Sequence, residues 1–225
     1  MSLQDKPKKN KKPIFSLKFL LYDFVKITGA IPALIWIKPR ITYENAVARK
    51  RIKGGGIIIS NHTGYTDPVK LHCAFWYRRF YLLAIKDLFY TKLKNFFFTH
   101  MLCLPVDKEN FSMNTLNAVA DVTQKGYFVG IYPEGRIVRD EGSVGDFKGG
   151  AVMMALRSGV PMIPVYCLPY KGFFSFTDII IGEPIDVKDL CGPIPSLDKI
   201  EEVTRSVRDK ELELIQIYND RRKKK

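Results

Sequence analysis

A histidine and an aspartate five residues apart, His62 and Asp67, are the side chains of this sequence best suited to acid–base chemistry. A neutral imidazole can take a proton from an alcohol near pH 7. A carboxylate bonded to the other ring nitrogen fixes the tautomer and stabilises the imidazolium that forms. A simpler interpretation is equally open, in which Asp67 only caps a helix and His62 is an ordinary loop residue.

The sequence around this pair predicts a loop between a strand and a helix. Residues 54–59 are a glycine-bounded run of β-branched residues, which predicts a short buried strand. Asp67 followed by Pro68 predicts an N-cap and the first position of a helix. His62 then lies at the carboxyl end of a strand, where α/β proteins usually carry their functional residues.

A second polar block, Tyr132-Pro133-Glu134-Gly135-Arg136, also follows an apolar run. If residues 127–132 are a strand, this block lies at the same edge of the sheet as His62. An arginine offers a planar fork of donors that suits phosphate, and a glycine lets the backbone approach a ligand closely. The alternative is a tight turn without chemistry, since proline and glycine are common turn residues.

Four blocks in a fixed order give the sequence a family resemblance. They are Asn61-His62 with Asp67, residues 132–136, Phe-Lys-Gly-Gly-Ala at 147–151, and Val-Pro-Met-Ile-Pro-Val at 160–165. In this order they resemble the glycerophospholipid acyltransferase family over residues 54–165. The resemblance implies an O-acyltransferase that moves an acyl chain from acyl-CoA or acyl-carrier protein to the free hydroxyl of 1-acylglycerol-3-phosphate, giving phosphatidic acid. It implies no cofactor and no metal.

The resemblance also assigns roles to residues. His62 and Asp67 are the expected catalytic pair, and the expected substrate-binding residues are Lys108, Glu134, Gly135, Arg136, Arg139 and Lys148. The sequence departs from the family at two positions. Arg136 follows Gly135 directly, where the family places a small residue between them, so either Arg136 or Arg139 meets the phosphate. Lys108 stands where the family usually has arginine.

Composition narrows the partners. The chain of 225 residues has a formal net charge of +13, which indicates an anionic partner. The basic residues are spread along the chain and no nucleic-acid recognition motif is present, so membrane lipids are the expected partner and nucleic acid is not. Two alternatives remain: an acyltransferase for another lysolipid acceptor, and a non-catalytic basic module that binds membranes.

The N-terminal part predicts contact with a membrane. Residues 6–12 are basic, and residues 14–37 are apolar but interrupted by Lys18, Asp23 and Lys26. A bilayer span needs about 20 mostly apolar residues, so an amphipathic helix or helix pair in the membrane interface is predicted. The alternative is a helix packed on the domain's own core. The expected location is the cytoplasmic face of a membrane, peripheral or monotopic, with residues 1–40 as the membrane segment and 41–225 as the catalytic domain.

Strand and helix patterns alternate along the rest of the chain. Strands are predicted at residues 40–43, 54–59, 81–85, 102–106, 127–132 and 162–168, and helices from 68 and at 88–101, 112–124, 149–157 and 198–218. This alternation predicts an α/β fold with a largely parallel, mixed sheet flanked by helices. Three roles are open for the aromatic residues at 75–80 and 96–98: they could line an acyl channel, face a bilayer or fill the core. Residues 173–176 are a second candidate for membrane contact.

Overall fold

The computed structural model describes residues 19–107, 112–138 and 143–223. The strands in these segments are β1 (Pro39–Tyr43), β2 (Gly56–Ser60), β3 (Phe80–Ile85), β4 (Cys103–Val106), β5 (Phe128–Ile131), β6 (Met162–Cys167) and β7 (Thr177–Ile181). The α-helices are α1 (Leu20–Ile37), α2 (Asp67–Ala74), α3 (Lys92–His100), α4 (Met113–Gln124), α5 (Gly150–Ser158), α6 (Val187–Cys191) and α7 (Leu197–Lys223). Two predicted site residues, Lys108 and Arg139, lie outside the described residues.

The strands form one sheet in the order β1-β7-β6-β2-β5-β3-β4. Neighbouring strands run parallel except β6 and β7, which are antiparallel. The predicted fold class, a largely parallel mixed sheet with flanking helices, is confirmed. The central strand β2 lies between β5 and β6, so the loop after it emerges at the middle of the carboxyl edge.

Both faces of β2 are covered, which explains its unbroken run of isoleucines. Ile57 and Ile59 point to one face and pack with the α4, α5 and α7 side of the core, whereas Ile58 points to the other face, beside Leu71 of α2. Each of the three isoleucines has 0% of its surface exposed. Alternation of side chains across a strand, with a helix layer on each face, requires apolar residues at every position.

The structure differs from the sequence prediction in one helix and one strand. The helix predicted at residues 88–101 is divided into a 3-10 turn at Lys86–Phe89 and α3, because Thr91 is the N-cap of α3 and accepts a hydrogen bond from Lys94 N. Strand β7 was not predicted at all. Its second residue, Asp178, accepts two hydrogen bonds from Arg40 of β1, at 2.7 and 2.6 Å, and one from the Tyr218 hydroxyl of α7 at 3.0 Å, and both partners are far away in sequence.

Helix α1 is fixed to the domain by the charges that interrupt its apolar sequence. Arg79 forms a two-bond pair with Asp23, at 2.8 and 2.6 Å. Lys26 donates to the Arg78 carbonyl at 2.5 Å, and its burial lowers the pKa of Lys26 to about 8. Tyr22 is fully buried beside them. One side of α1 therefore packs on the domain, as expected from the alternative interpretation of a helix packed on the domain's own core.

Much of the remaining surface of α1 is apolar and exposed, including Phe24, Ile27, Ile31 and Ile35. By length and composition alone, α1 is the one helix of the described residues that could cross a membrane, and a core helix or signal sequence passes the same weak test. Packing and exposure on the same helix are typical of an element placed between a domain and an apolar phase.

Candidate active site

Two loops meet at the carboxyl edge of the sheet because β2 and β5 are parallel neighbours. Ile59 lies opposite Ile131 in the register, so the loops after them leave the sheet side by side. The backbone N–H of His62 donates to Glu134 Oε1 over 3.2 Å, and Val138 N–H donates to the His62 carbonyl at 2.7 Å. The structure thus brings together the two blocks that the sequence predicted to meet.

The side chains of His62 and Asp67 are hydrogen-bonded, with 2.8 Å between Nδ1 and Oδ2. Asp67 is fully buried, while 21% of the His62 side chain stays exposed. Burial would raise the pKa of Asp67, but the hydrogen bond from His62 and the nearby Lys70 ammonium lower it to about 2. An ionised carboxylate only accepts, so His62 Nδ1 carries the proton of this bond, and in the neutral imidazole Nε2 is then the nitrogen that accepts a proton.

Asp67 is not the N-cap that the sequence predicted. Helix α2 begins at Asp67, and the cap position belongs to Thr66, whose side chain makes no capping bond. The Asp67 carboxylate turns back over the loop and accepts from the N–H groups of Thr63 at 2.6 Å and Gly64 at 2.8 Å. The loop donors and the imidazole together occupy the carboxylate, so it is unavailable to the helix terminus.

Two residues to which the sequence gave no separate role hold the His62 loop. The Tyr132 ring stacks on the imidazole, with 4.3 Å between centroids and 17° between planes. The Asn61 amide forms two hydrogen bonds with the backbone of Cys167 at the end of β6, at 3.0 and 2.8 Å. The residue directly after β5 therefore covers the imidazole, and the end of β6 fixes Asn61, the residue before His62.

Two buried carboxyl groups lie behind the loop. Glu134 is 5% exposed and Glu211 of α7 is 0% exposed. Burial raises the pKa of Glu134, against the opposing effect of the His62 and Gly145 backbone N–H groups. Burial, reinforced by the charge of Glu134, holds the pKa of Glu211 well above its usual range. The helical period of α7 places Glu211 on one buried face with Val207, a signal that the sequence analysis did not use.

Gly135, Arg136 and Lys148 line the same cavity as His62. Gly135 has φ +64°, a conformation that favours glycine, and a β-carbon there would lie 3.4 Å from Lys148 Cε. The backbone N–H of Lys148 donates to the Pro133 carbonyl at 3.0 Å, which joins the 147–151 block to the turn after β5. Three of the predicted binding residues therefore surround one space, although Glu134 does not line it.

The cavity has a volume of about 1670 Å³ and a mostly apolar lining. Helix α1 contributes Ala30, Ala33 and Leu34 to the wall, and α3 contributes Phe97 and Phe98. Pockets for small ligands commonly occupy about 300–1,000 Å³. The cavity beside His62 is therefore large enough for an extended apolar molecule, and part of the aromatic cluster of the sequence lines it.

In the described part of the chain, no three His, Cys, Asp or Glu side chains converge as metal ligands would. All four cysteines are free: Cys73, Cys103, Cys167 and Cys191. The site is thus built from an imidazole, carboxylates, basic side chains and backbone groups.

Comparison with known proteins shows the family of the chain. The model of the acyltransferase family matches residues 40–168. The 1-acyl-sn-glycerol-3-phosphate acyltransferase of Bacillus subtilis is 29% identical over 166 residues, which cover 71% of this chain and 81% of that protein. The enzyme of the same name from Streptococcus pneumoniae is 27% identical over 178 residues, which cover 76% of this chain and 65% of that protein.

The fold also has a solved counterpart. The crystal structure of the 1-acyl-sn-glycerophosphate acyltransferase of Thermotoga maritima superimposes with a TM-score of 0.57 and 18% identity, over 86% of this chain and 79% of that one. The chain belongs to the acyltransferase family, and it is an O-acyltransferase. Membership in an enzyme family sets aside the alternative of a non-catalytic basic module.

Proposed function

We propose that this protein transfers an acyl chain from an acyl thioester to the free hydroxyl of 1-acylglycerol-3-phosphate, giving phosphatidic acid and a free thiol. The observation that carries the proposal is the 2.8 Å bond between His62 and Asp67 beside the large apolar cavity. The names of the Bacillus and Streptococcus relatives support this acceptor.

His62 acts as the general base. Its Nε2 takes the proton of the acceptor hydroxyl while the oxygen attacks the thioester carbonyl, and Asp67 stabilises the imidazolium. The tetrahedral intermediate collapses with cleavage of the carbon–sulfur bond, and the leaving thiolate takes the proton from His62. A thioester is activated enough for direct attack, so the reaction needs no covalent enzyme intermediate, metal or cofactor.

Arg136 and Lys148 bind the phosphate of the acceptor. Both line the cavity with His62, and both carry positive charge. Arginine matches a phosphate with two parallel hydrogen bonds, whereas lysine adds a point charge. Gly135 leaves the turn open for close approach of the headgroup. Lys108 and Arg139 stay predicted contributors to the same phosphate site.

Glu134 acts through the loop instead of touching the acceptor. Its Oε1 accepts the His62 backbone N–H at 3.2 Å. Its Oε2 faces Gly145 so closely that a β-carbon there would come within 2.8 Å. A carboxylate repels a phosphate, so Glu134 is poorly suited to bind the acceptor. A buried carboxyl group that is hydrogen-bonded to the His62 backbone can instead fix the position of His62. Glu134 is therefore proposed as a positioning residue.

The protein works at a membrane surface, with the cytoplasmic face as the proposed side. Trp36 at the end of α1 meets Tyr170 edge-on, and Lys38 lies 4.8 Å over the Phe173 ring. These contacts join the exposed side of α1 to the loop at residues 172–176, where Phe174 is 92% exposed. We call this combined region the apolar edge; its exposed members are Ile31, Leu34, Ile35, Trp36, Phe173, Phe174 and Phe176.

The apolar edge has the chemistry of a bilayer contact. Lys38 and Arg40 stack on its phenylalanines, at 4.8 and 5.0 Å, which places cations beside the rings as anionic headgroups require. Leu34 is exposed at this edge and also lines the cavity. An acyl chain that leaves the bilayer at Leu34 therefore reaches the cavity along α1.

The test is an acyl-transfer assay with purified protein, lysophosphatidic acid in vesicles and either acyl-CoA or acyl-carrier protein as donor. Phosphatidic acid measured by mass spectrometry, together with release of free thiol, is the expected result with at least one donor. Lysophosphatidylcholine and lysophosphatidylethanolamine test the alternative of another lysolipid acceptor. Faster turnover of either of these would overturn the proposed acceptor while leaving the acyl-transfer chemistry in place.

A further inference from the structure

The base and its carboxylate have a third, positively charged member that lies inside the protein. Lys70 has 0% of its surface exposed. Its Nζ donates to Asp67 Oδ1 at 2.8 Å, to the Leu168 carbonyl at 2.8 Å and to Thr63 Oγ1 at 3.2 Å. Three acceptors match the three hydrogens of an ammonium. Thr63 Oγ1 in turn donates to Asp67 Oδ1 at 2.9 Å, which closes the network.

We propose that Lys70 is a positioning residue that holds the Asp67 carboxylate in place and, by cancelling its charge, keeps the His62 imidazole neutral and ready to accept a proton. The inference rests on the proposed role of His62 as base. It goes further, because it assigns a function to a buried lysine that touches neither the acceptor nor the thioester.

The geometric part of the inference follows from the connections of Lys70. Through the Leu168 carbonyl it links the first turn of α2 to the segment after β6, and through Thr63 it reaches the middle of the His62 loop. Asp67 is thereby held from both oxygens, with His62 on Oδ2 and Lys70 on Oδ1. Such an arrangement fixes the direction in which Nε2 of the imidazole points.

The electrostatic part follows from the charge of the buried pair. A lone buried Asp67 would stabilise the imidazolium strongly, because little solvent screens the attraction. The imidazole would then keep its proton to higher pH, and a protonated imidazole cannot act as a base. With Lys70 beside it, Asp67 still orients Nδ1, but the imidazole faces a neutral pair instead of a bare anion.

The other titratable groups around the network do not offer this compensation. Tyr132 stacks on the imidazole, Glu134 lies under the His62 backbone, Cys167 ends β6, and Glu211 of α7 lies behind Glu134. Each of these four is neutral or negative across the working pH range. The cations Arg136 and Lys148 line the cavity together with His62, but Asp67 does not line that cavity. Lys70 is the cation in direct contact with the His62–Asp67 pair among the residues that the structure describes.

The first experiment measures the pH dependence of kcat/KM for the Lys70→Met variant. We expect the acidic limb of the profile to move to higher pH by roughly one unit, because loss of a neighbouring positive charge favours the imidazolium. Lys70→Arg, which retains the charge, is expected to keep the limb near its wild-type position even where the rate is lower. An equal loss of rate at every pH would show a purely structural role and overturn the inference.

Lys210→Met is the matched control. Lys210 forms ion pairs with Glu44 and Glu213 at 2.7 and 2.9 Å, so its substitution also removes a paired ammonium. Both of its ion-pair partners lie outside the His62 loop, and we expect the profile to stay in place. A shift of the same size in Lys210→Met would assign the effect to net charge and count against the inference.

A second comparison does not require Lys70→Met to fold. The pair Asp67→Asn and Asp67→Asn/Lys70→Met differs only in the buried ammonium, and the double variant buries no charge. The imidazole titration of each is followed by NMR in the ligand-free protein, with His62 distinguished from the chain's other two histidines by the His62→Ala spectrum. We expect the double variant to bind the proton at higher pH by roughly one unit, and equal titration would overturn the inference.

The two measurements separate this inference from the proposed function. The NMR titration does not depend on turnover, so it reports the coupling of Lys70 to His62 even in an inactive variant. Full activity of His62→Ala, by contrast, would remove the base that the proposed function requires, whatever the titration shows.

Discussion

The ring of Tyr132 covers one face of the His62 imidazole, at 4.3 Å between centroids and nearly parallel. Stacking fixes the plane of the imidazole, and the bond to Asp67 fixes its rotation within that plane. The two contacts come from different elements, the turn after β5 and the first turn of α2. The orientation of the base is therefore a property of the assembled sheet edge.

The first prediction concerns this base. His62→Ala should lower kcat by about a hundred- to ten-thousand-fold, the usual cost of losing a general base, with little change in the melting temperature. Steady-state kinetics with lysophosphatidic acid and a thioester donor measure it. His100→Ala is the control, because the ring of His100 on α3 contacts the Phe96 ring at a tilt of 36° and neither residue lines the cavity. A folded His62→Ala variant with near-normal turnover contradicts the mechanism.

The second prediction concerns the headgroup. Arg136→Ala should raise KM for lysophosphatidic acid about ten- to a hundred-fold, since a charged hydrogen bond contributes about 1.5–3 kcal/mol, and should leave KM for the thioester nearly unchanged. The preference over lysophosphatidylcholine should narrow, because a capped phosphate has one negative charge fewer.

The control for Arg136 is Arg157→Ala, which removes an arginine on α5 that bonds Asn117. Arg139→Ala and Lys148→Ala are measured in parallel. If Arg139→Ala alone raises KM for the acceptor, the assignment to Arg136 is wrong. If none of the three does, the phosphate is bound elsewhere.

The third prediction concerns the membrane. Deletion of residues 1–37 would remove the α1 wall of the cavity along with any membrane contact, so point variants at the tip of the apolar edge are a cleaner test. Phe173→Ser/Phe174→Ser should weaken co-sedimentation with anionic vesicles about tenfold or more, since each buried phenylalanine side chain contributes roughly 1.5–3 kcal/mol. High salt should weaken binding further through the lysines and arginines.

Ile194→Ser is the matched control for the apolar edge. Ile194 is 91% exposed, as Phe174 is at 92%, but it lies between α6 and α7, outside the edge. Vesicle binding should not change. Equal binding by wild type and the phenylalanine double variant would place the membrane contact on another surface.

The fourth prediction concerns stability at high pH. The pKa of Glu211 is raised in the folded state, so its contribution to stability is complete below the unfolded value near 4.5 and is lost as pH rises towards the folded value. Each unit between the two values costs about 1.4 kcal/mol. Glu211→Gln should therefore match the wild-type melting temperature near pH 4.5 and exceed it increasingly as the pH rises towards the folded value.

Glu213→Gln provides the comparison on the same helix, because Glu213 is a largely exposed residue that pairs with Lys210. Its effect on the melting temperature should be small and of opposite sign, since it loses a surface ion pair. A Glu211→Gln variant that is destabilised equally at both ends of the pH range would mean that Glu211 is ionised and paired in the folded protein.

Local pattern was sufficient for the strands that are apolar along their whole length. The isoleucine run of β2 and the glycine-bounded strand β5 are apolar at each position because both faces are covered, and the loops after them had to meet if the sheet was parallel. The four ordered blocks indicated the family, because the residues of the site lie on loops that follow one another in a fixed order along the chain.

The tertiary structure decided which partners several polar side chains take. Asp67 has the residue type of a helix cap, yet the loop donors and Lys70 take its carboxylate instead. Strand β7 contains an aspartate, Asp178, whose hydrogen-bond partners are Arg40 of β1 and Tyr218 of α7, both far away in sequence. Asp23 and Lys26 break an apolar run in the sequence, but in the fold they attach α1 to the domain.

The sequence by itself therefore determined the fold class, the family and the meeting of His62 with the block at Glu134. It could not determine that Lys70 and Glu211 are buried. A lysine or glutamate in a helix is normally solvated, and the free energy of burying it depends on the neighbours that replace water. The neighbour of Lys70 is the Leu168 carbonyl, which follows β6, and the neighbours of Glu211 lie around Glu134, which follows β5. These groups are in place only once the chain has folded.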